Sequence, residues 1–125
     1  MTPTDRKYTK DHEWVILEGE NARVGITAHA QEALGDIVFV ELPAVGADIK
    51  AGESFAVVES VKAVSNVFTP VGGSVLEVNG ALEAQPELLN EAPYDNFIAL
   101  FKVSAIDESA LLDAAAYDAF VESEG

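Results

Sequence analysis

The segment Glu59-Ser60-Val61-Lys62-Ala63-Val64-Ser65-Asn66 lies between two apolar, β-prone runs, residues 55–58 and 67–69. Two short strands separated by a few residues predict a β-hairpin, although this turn lacks the Asn-Gly or Asp-Gly pair of the tightest kind. Pro70 and the Gly72-Gly73 pair are expected to stop the second strand in a turn. Lys62 sits at the centre between Val61 and Ala63, with small Ser60 and Ser65 beyond. Its plainest role is edge protection, since charged side chains keep exposed strands from pairing with other chains. Whether it is more than that depends on the sequence around it.

Toward the N-terminus, residues 36–42 form a strong β segment that Pro43 stops, and residues 45–52 read as a turn, a very short strand and another turn. Thr27 offers its hydroxyl as a cap to a two-turn helix over residues 28–34, which Gly35 ends. Residues 14–17 and 22–26 predict a first hairpin across Glu18-Gly19-Glu20-Asn21. Residues 1–7 are expected to be a flexible N-terminus, and residues 8–13 a polar lead into the first strand.

Toward the C-terminus, residues 74–79 alternate with period two, as a half-buried strand does, and Gly80 breaks them. Pro86 can open a one-turn helix over residues 87–89, residues 93–96 turn, and residues 97–103 make the last strand. Residues 107–121 favour helix, with Asp113 placed to cap a second helix rather than lie inside one long one. Leu111, Leu112, Ala115, Tyr117 and Phe120 are available for packing there. Many short strands punctuated by Gly and Pro predict a single mainly β domain over residues 1–125. It would be a compact sandwich or barrel with short peripheral helices.

The 125-residue chain is long enough for one modest core, and its 49% of hydrophobic residues argues against disorder. No apolar run approaches the ~20 residues of a membrane span, and the first residues lack the apolar core of a secretory signal. A cytoplasmic protein is expected, or a mitochondrial-matrix one if the chain is a processed eukaryotic form. Seven basic against 22 acidic residues give a net charge of −15, which repels phosphate backbones and argues against nucleic-acid binding. The same charge aids solubility and would steer the chain toward basic partner surfaces.

With no cysteine, any thiol chemistry must come from an attached group. His12 and His29 are far apart in sequence and do not by themselves meet the ligand requirement of a zinc site. No Gly-Lys-Ser/Thr follows Gly72-Gly73, so it is no phosphate loop. Trp14 reads as core, and Glu13 and Glu59 as solvated carboxylates in so acidic a chain.

In order and spacing, these pieces resemble the H proteins of the glycine cleavage system, a family of lipoyl carriers. The match begins with Tyr8-Thr9-Lys10, His12-Glu13-Trp14 and Val24-Gly25-Ile26-Thr27, and continues through the run from Leu34-Gly35-Asp36 to Glu41-Leu42-Pro43. It ends with Ala56-Val57-Val58-Glu59-Ser60-Val61-Lys62-Ala63, Glu77-Val78-Asn79, Pro86-Glu87-Leu88 with Asn90, and Pro93-Tyr94. The resemblance covers nearly the whole chain. It implies a lipoyl/biotinyl-type hybrid barrel-sandwich, with (R)-lipoate attached to Lys62 inside Glu59-Ser60-Val61-Lys62-Ala63.

It further implies a non-catalytic carrier that shuttles an aminomethyl group from the P protein, a pyridoxal-phosphate glycine decarboxylase, to the T protein, an aminomethyltransferase. The L protein, dihydrolipoamide dehydrogenase, would reoxidise the dithiol. A lipoate ligase or a lipoyl/octanoyl transferase would load Lys62, and a monomer is expected. In the family the loaded arm folds into a cleft on the carrier's own surface. The matching positions are Glu13, Ile26 and Leu34, with Asn66 standing where an acidic residue is common. Ile26 and Leu34 would supply an apolar wall, and Glu13 a carboxylate for the protonated amine. Phe97-Ile98 replaces the family's usual Gly-Trp. The alternative function is an H-like lipoyl reservoir serving other enzymes. A biotin carrier fits less well, because Val61 and Ala63 stand where methionines flank a biotinyl lysine.

Overall fold

The computed structural model describes residues 2–124, which fold into two antiparallel sheets. The larger sheet runs, neighbour to neighbour, β1 (Lys7–Tyr8), β2 (Glu13–Glu18), β3 (Asn21–Ile26), β9 (Ala99–Ile106), β8 (Val71–Val78) and β5 (Asp48–Ile49). The smaller runs β4 (Ile37–Glu41), β6 (Ser54–Ser60) and β7 (Val64–Phe68). Side chains alternate across each strand, and the inward set forms one core with Val24, Val40, Val58, Val75 and Phe101 nearly or wholly buried. Each such side chain contributes roughly 1.5–3 kcal/mol by leaving water.

Among the described residues four helices lie outside the sheets: α1 (Ala28–Leu34), α2 (Ala81–Ala84), α3 (Leu88–Glu91) and α4 (Ala114–Glu124). None of the described helices is long and apolar enough to cross a membrane. Thr27 caps α1 by accepting the Ala30 amide at 3.2 Å, and Gly35 ends it at φ 81°, a left-handed conformation that costs glycine little. Asp113 splits the C-terminal helical region as expected. A 3-10 turn at Glu108–Ala110 precedes it, and its carboxylate accepts the Ala116 amide at 2.8 Å to start α4. Tyr117 of α4 stacks on Tyr8 with ring centroids 4.9 Å apart, and with Trp14 and Ala114 they form a second core cluster.

Three expectations change. Gly72-Gly73 is no turn: both residues lie inside β8, where a β-carbon at Gly73 would collide with the Lys102 carbonyl of β9. The register shifts at that point, and only glycine admits the approach. Residues 2–7 are not a loose lead, because the Arg6 guanidinium lies 4.6 Å from the Trp14 ring centroid and donates to the Tyr94 carbonyl at 2.7 Å. Residue 1 lies outside the described residues. Finally, Phe97-Ile98 precedes the last strand instead of opening it. Ile98 is wholly buried and its amide donates to the Val24 carbonyl at 2.8 Å, so it enters the core ahead of the strand.

Candidate functional site

β6 and β7 pair from Ser54↔Phe68 to Glu59↔Val64, which leaves Val61, Lys62 and Ala63 as the tip of the expected hairpin. Ser60 builds the turn. Its amide donates to the Ala63 carbonyl at 2.8 Å, and its hydroxyl oxygen accepts the Lys62 and Ala63 amides at 3.2 and 3.0 Å. This local side-chain bonding supplies what an Asn-Gly turn would otherwise provide. Val61 and Lys62 project into solvent, and among the described residues the Lys62 ammonium has no ion-pair partner.

The tip is braced from the side. The Val61 amide donates to the Asp36 carbonyl at 3.0 Å, and the Lys62 stem passes over Gly35, with Cε 3.7 Å from where a β-carbon would stand. That junction between α1 and β4 is itself fixed by Asn90 of α3. The Asn90 amide nitrogen donates to the Gln31 side-chain oxygen and the Gly35 carbonyl, both at 2.9 Å, and its oxygen accepts the Ile37 amide at 2.9 Å. The order of residues gives Asn90 and Asp36 no structural role, and gives Gly35 only that of ending α1. Their role appears once α3 lies against α1.

Glu13 lies beyond the other end of β7. It is only 3% exposed, so the expectation of a solvated carboxylate fails. One oxygen accepts the Thr9 hydroxyl at 2.6 Å and the other accepts the Phe68 amide at 3.3 Å. Burial pushes its pKa up to about 7, against the pull of the Thr9 hydrogen bond, with the negative charge of Asp11 adding to the rise and the Phe68 amide opposing it. A cavity of about 310 Å³ opens beside it, lined by Thr9, Glu13, Phe68, Thr69, Pro70 and Leu112 among others.

The four positions matched to the arm cleft therefore separate. Glu13 faces the cavity. Ile26 is its cross-strand partner but is 3% exposed and belongs to the main core, so it is not a cavity wall. Leu34, half-buried at the end of α1, packs against that core beside Gly35 and also does not line the cavity. The apolar lining of this cavity includes Phe68, Pro70 and Leu112, residues that only the tertiary fold brings together. Asn66 stays outside the cavity, alternating with Val64 and Phe68 along the exposed side of β7. These three lie along β7 between the Lys62 tip and the Glu13 corner, and β7 spans about 17 Å. Glu59 is half-buried at the last ladder pair, and Ala63 closes the turn.

His12 and His29 prove to be neighbours, with ring centroids 4.3 Å apart. His12 has φ 68°, bonds to the Tyr117 hydroxyl at 2.8 Å, and is pushed toward its neutral form first by burial and then by His29. Among the described residues no group of three metal-ligating side chains forms around them.

A two-sheet β domain that presents a lysine on a braced hairpin, with a carboxylate cavity at the strand's far end, has the layout of a carrier for a tethered group. The glycine cleavage H-protein family model matches residues 6–124, and the chain belongs to that family. The glycine cleavage system H protein of Sodalis glossinidius is 55% identical, covering 98% of this chain and 95% of its own. That of Geobacillus kaustophilus is 52% identical over 96% of each. The crystal structure of an H protein from Mycobacterium marinum superposes with a TM-score of 0.86 at 42% identity and 98% coverage of both chains. The chain is thus a lipoyl-carrier component of the glycine cleavage system.

Proposed function

We propose that Lys62 is the lipoylation site and that Glu13 receives the loaded end of the arm. The observation that carries the first part is the Ser60-built tip, whose hydroxyl accepts the Lys62 and Ala63 amides while, among the described residues, no carboxylate pairs with the Lys62 amine. An exposed amine without a salt-bridge partner is open to an activated acyl group held by a modifying enzyme. When attached, the lipoyl group supplies a dithiolane for thiol–disulfide exchange and for carriage of a one-carbon amine unit, chemistry that a chain without cysteine lacks. The residues fit such a group: the exposed face of β7 offers a path, and a buried carboxylate stands at its end. Glu13 would accept hydrogen bonds from a protonated amine, and the cavity would limit water around it.

In this reading the chain is a carrier and its partner enzymes perform the reactions. Val38, Phe39, Val61 and Val64 are 47–70% exposed around the hairpin, with Asp36, Glu41 and Glu59 among them. An apolar collar interrupted by carboxylates suits the P, T and L proteins if their arm-accepting openings carry a basic rim. Reconstitution tests the role. Lipoylated protein mixed with P and T proteins should support glycine-dependent release of carbon dioxide. Protein that gains the lipoyl mass and yet supports no release, while passing its lipoyl group to other enzymes, would be a reservoir instead.

A further inference from the structure

We infer that Thr9 is the positioning residue of the Glu13 cleft, its hydroxyl holding the carboxylate in place as an acceptor for a cationic group in the cavity. This rests on the reading of Glu13 given above. Thr9 is 5% exposed, and its hydroxyl oxygen accepts the Asp11 and Glu13 amides at 3.3 and 3.2 Å. A hydroxyl has two acceptor lone pairs and one proton. With two amides directed at the oxygen, the proton is left for Glu13 Oε1, 2.6 Å away. That length falls in the range of a hydrogen bond to an ionised oxygen.

The second carboxylate oxygen accepts the Phe68 amide, so each oxygen has one protein donor and keeps further acceptor capacity. The loop that carries the hydroxyl is itself tied by main-chain bonds. The Thr9 amide donates to the Glu13 carbonyl at 3.0 Å, and the His12 amide donates to the Thr9 carbonyl at 3.1 Å, closing a tight loop. His12 takes its left-handed φ inside that loop and is tied from outside to Tyr117 of α4. A carboxylate already ordered this way loses less side-chain freedom when a ligand arrives.

The test follows two signals. The carboxyl resonance of Glu13 is titrated by carbon NMR in the unloaded protein, and ammonia release is timed from the loaded protein in the absence of T protein. Thr9→Val removes the hydroxyl at nearly constant shape. It should move the Glu13 titration to higher pH and speed release by roughly threefold to tenfold, and Thr9→Ser should restore both. Thr9→Ala takes the place of valine if Trp14 fluorescence shows that valine disturbs the loop. Glu13→Gln is the control and should speed release at least as much. If Glu13→Gln speeds release and removing the Thr9 hydroxyl changes neither signal, the assignment of Thr9 is overturned while the cleft stands. A moved titration with unchanged release overturns it too. If Glu13→Gln has no effect on release, the cleft reading falls and takes Thr9 with it.

Discussion

The hairpin tip at Lys62 and the corner at Glu13 sit at opposite ends of β7 and are built in opposite ways. At the tip, Ser60 bonds to residues two and three positions away, and the Lys62 side chain is exposed to water. At the corner, a carboxylate is 3% exposed and takes its donors from Thr9 and from Phe68, 55 positions along the chain. In the proposed function the tip presents an amine to other proteins, which solvent and a local turn allow. The corner changes the behaviour of a charge, and exclusion of water is the main cause. Display is local, whereas tuning a charge requires the assembled fold.

The sharpest break of this contrast is Lys62→Arg. Arginine keeps the charge and presents no attackable amine, so intact mass after incubation with a lipoate ligase should show complete loss of the single addition. A surviving addition would move the site elsewhere. Next comes acidity at the corner. Glu13 titrates near 7 in the fold against an ordinary 4.5, so the folded state binds its proton more tightly. Stability should therefore decline as pH rises from about 4.5 to about 7 and level off above, by on the order of 3 kcal/mol from this group. Glu13→Gln lacks that titration. Urea unfolding near pH 5 and near pH 8 should show the wild type losing more over this interval than the variant. An equal loss in both would mean that the corner is as wet as the tip.

A smaller effect is expected where the two regimes meet. Asn90→Ala removes three hydrogen bonds that fix the junction under Lys62, and should cost about 2–3 kcal/mol in urea unfolding. It should also slow ligase-catalysed lipoylation, because the ledge that braces Val61 loosens. Unchanged lipoylation in a destabilised Asn90→Ala protein would show that the hairpin needs no brace. Smallest is Ser60→Ala, which leaves two turn amides to water and should cost roughly 0.5–1.5 kcal/mol, lowering lipoylation modestly. A loss as large as that from Asn90→Ala would show that the turn is not independent of the fold around it.

Much of the architecture was legible from the order of residues. Thr27 and Gly35 bound α1, Asp113 starts α4, and the β6–β7 hairpin presents Lys62, because caps, glycine conformations and β-prone runs act over a few neighbouring positions. The same logic misjudged Gly72-Gly73, whose requirement is set by the Lys102 carbonyl on a neighbouring strand. It also left Arg6 loose, because the Trp14 ring and the Tyr94 carbonyl that hold it converge only in the folded chain.

What the sequence by itself determined is the β-rich frame and the presented lysine, since each rests on short-range geometry. The motif around Lys62 and its resemblance to the H proteins need no knowledge of what lies behind the hairpin. Only the tertiary structure decided that Glu13 is buried while Glu59 is not, that His12 meets His29, and that Phe68, Pro70 and Leu112 line the cavity beside Glu13 while Ile26 and Leu34 do not. Burial and the distances between remote side chains are properties of the packed chain. A carboxylate's affinity for its proton depends on them, and no spacing along the chain encodes that dependence.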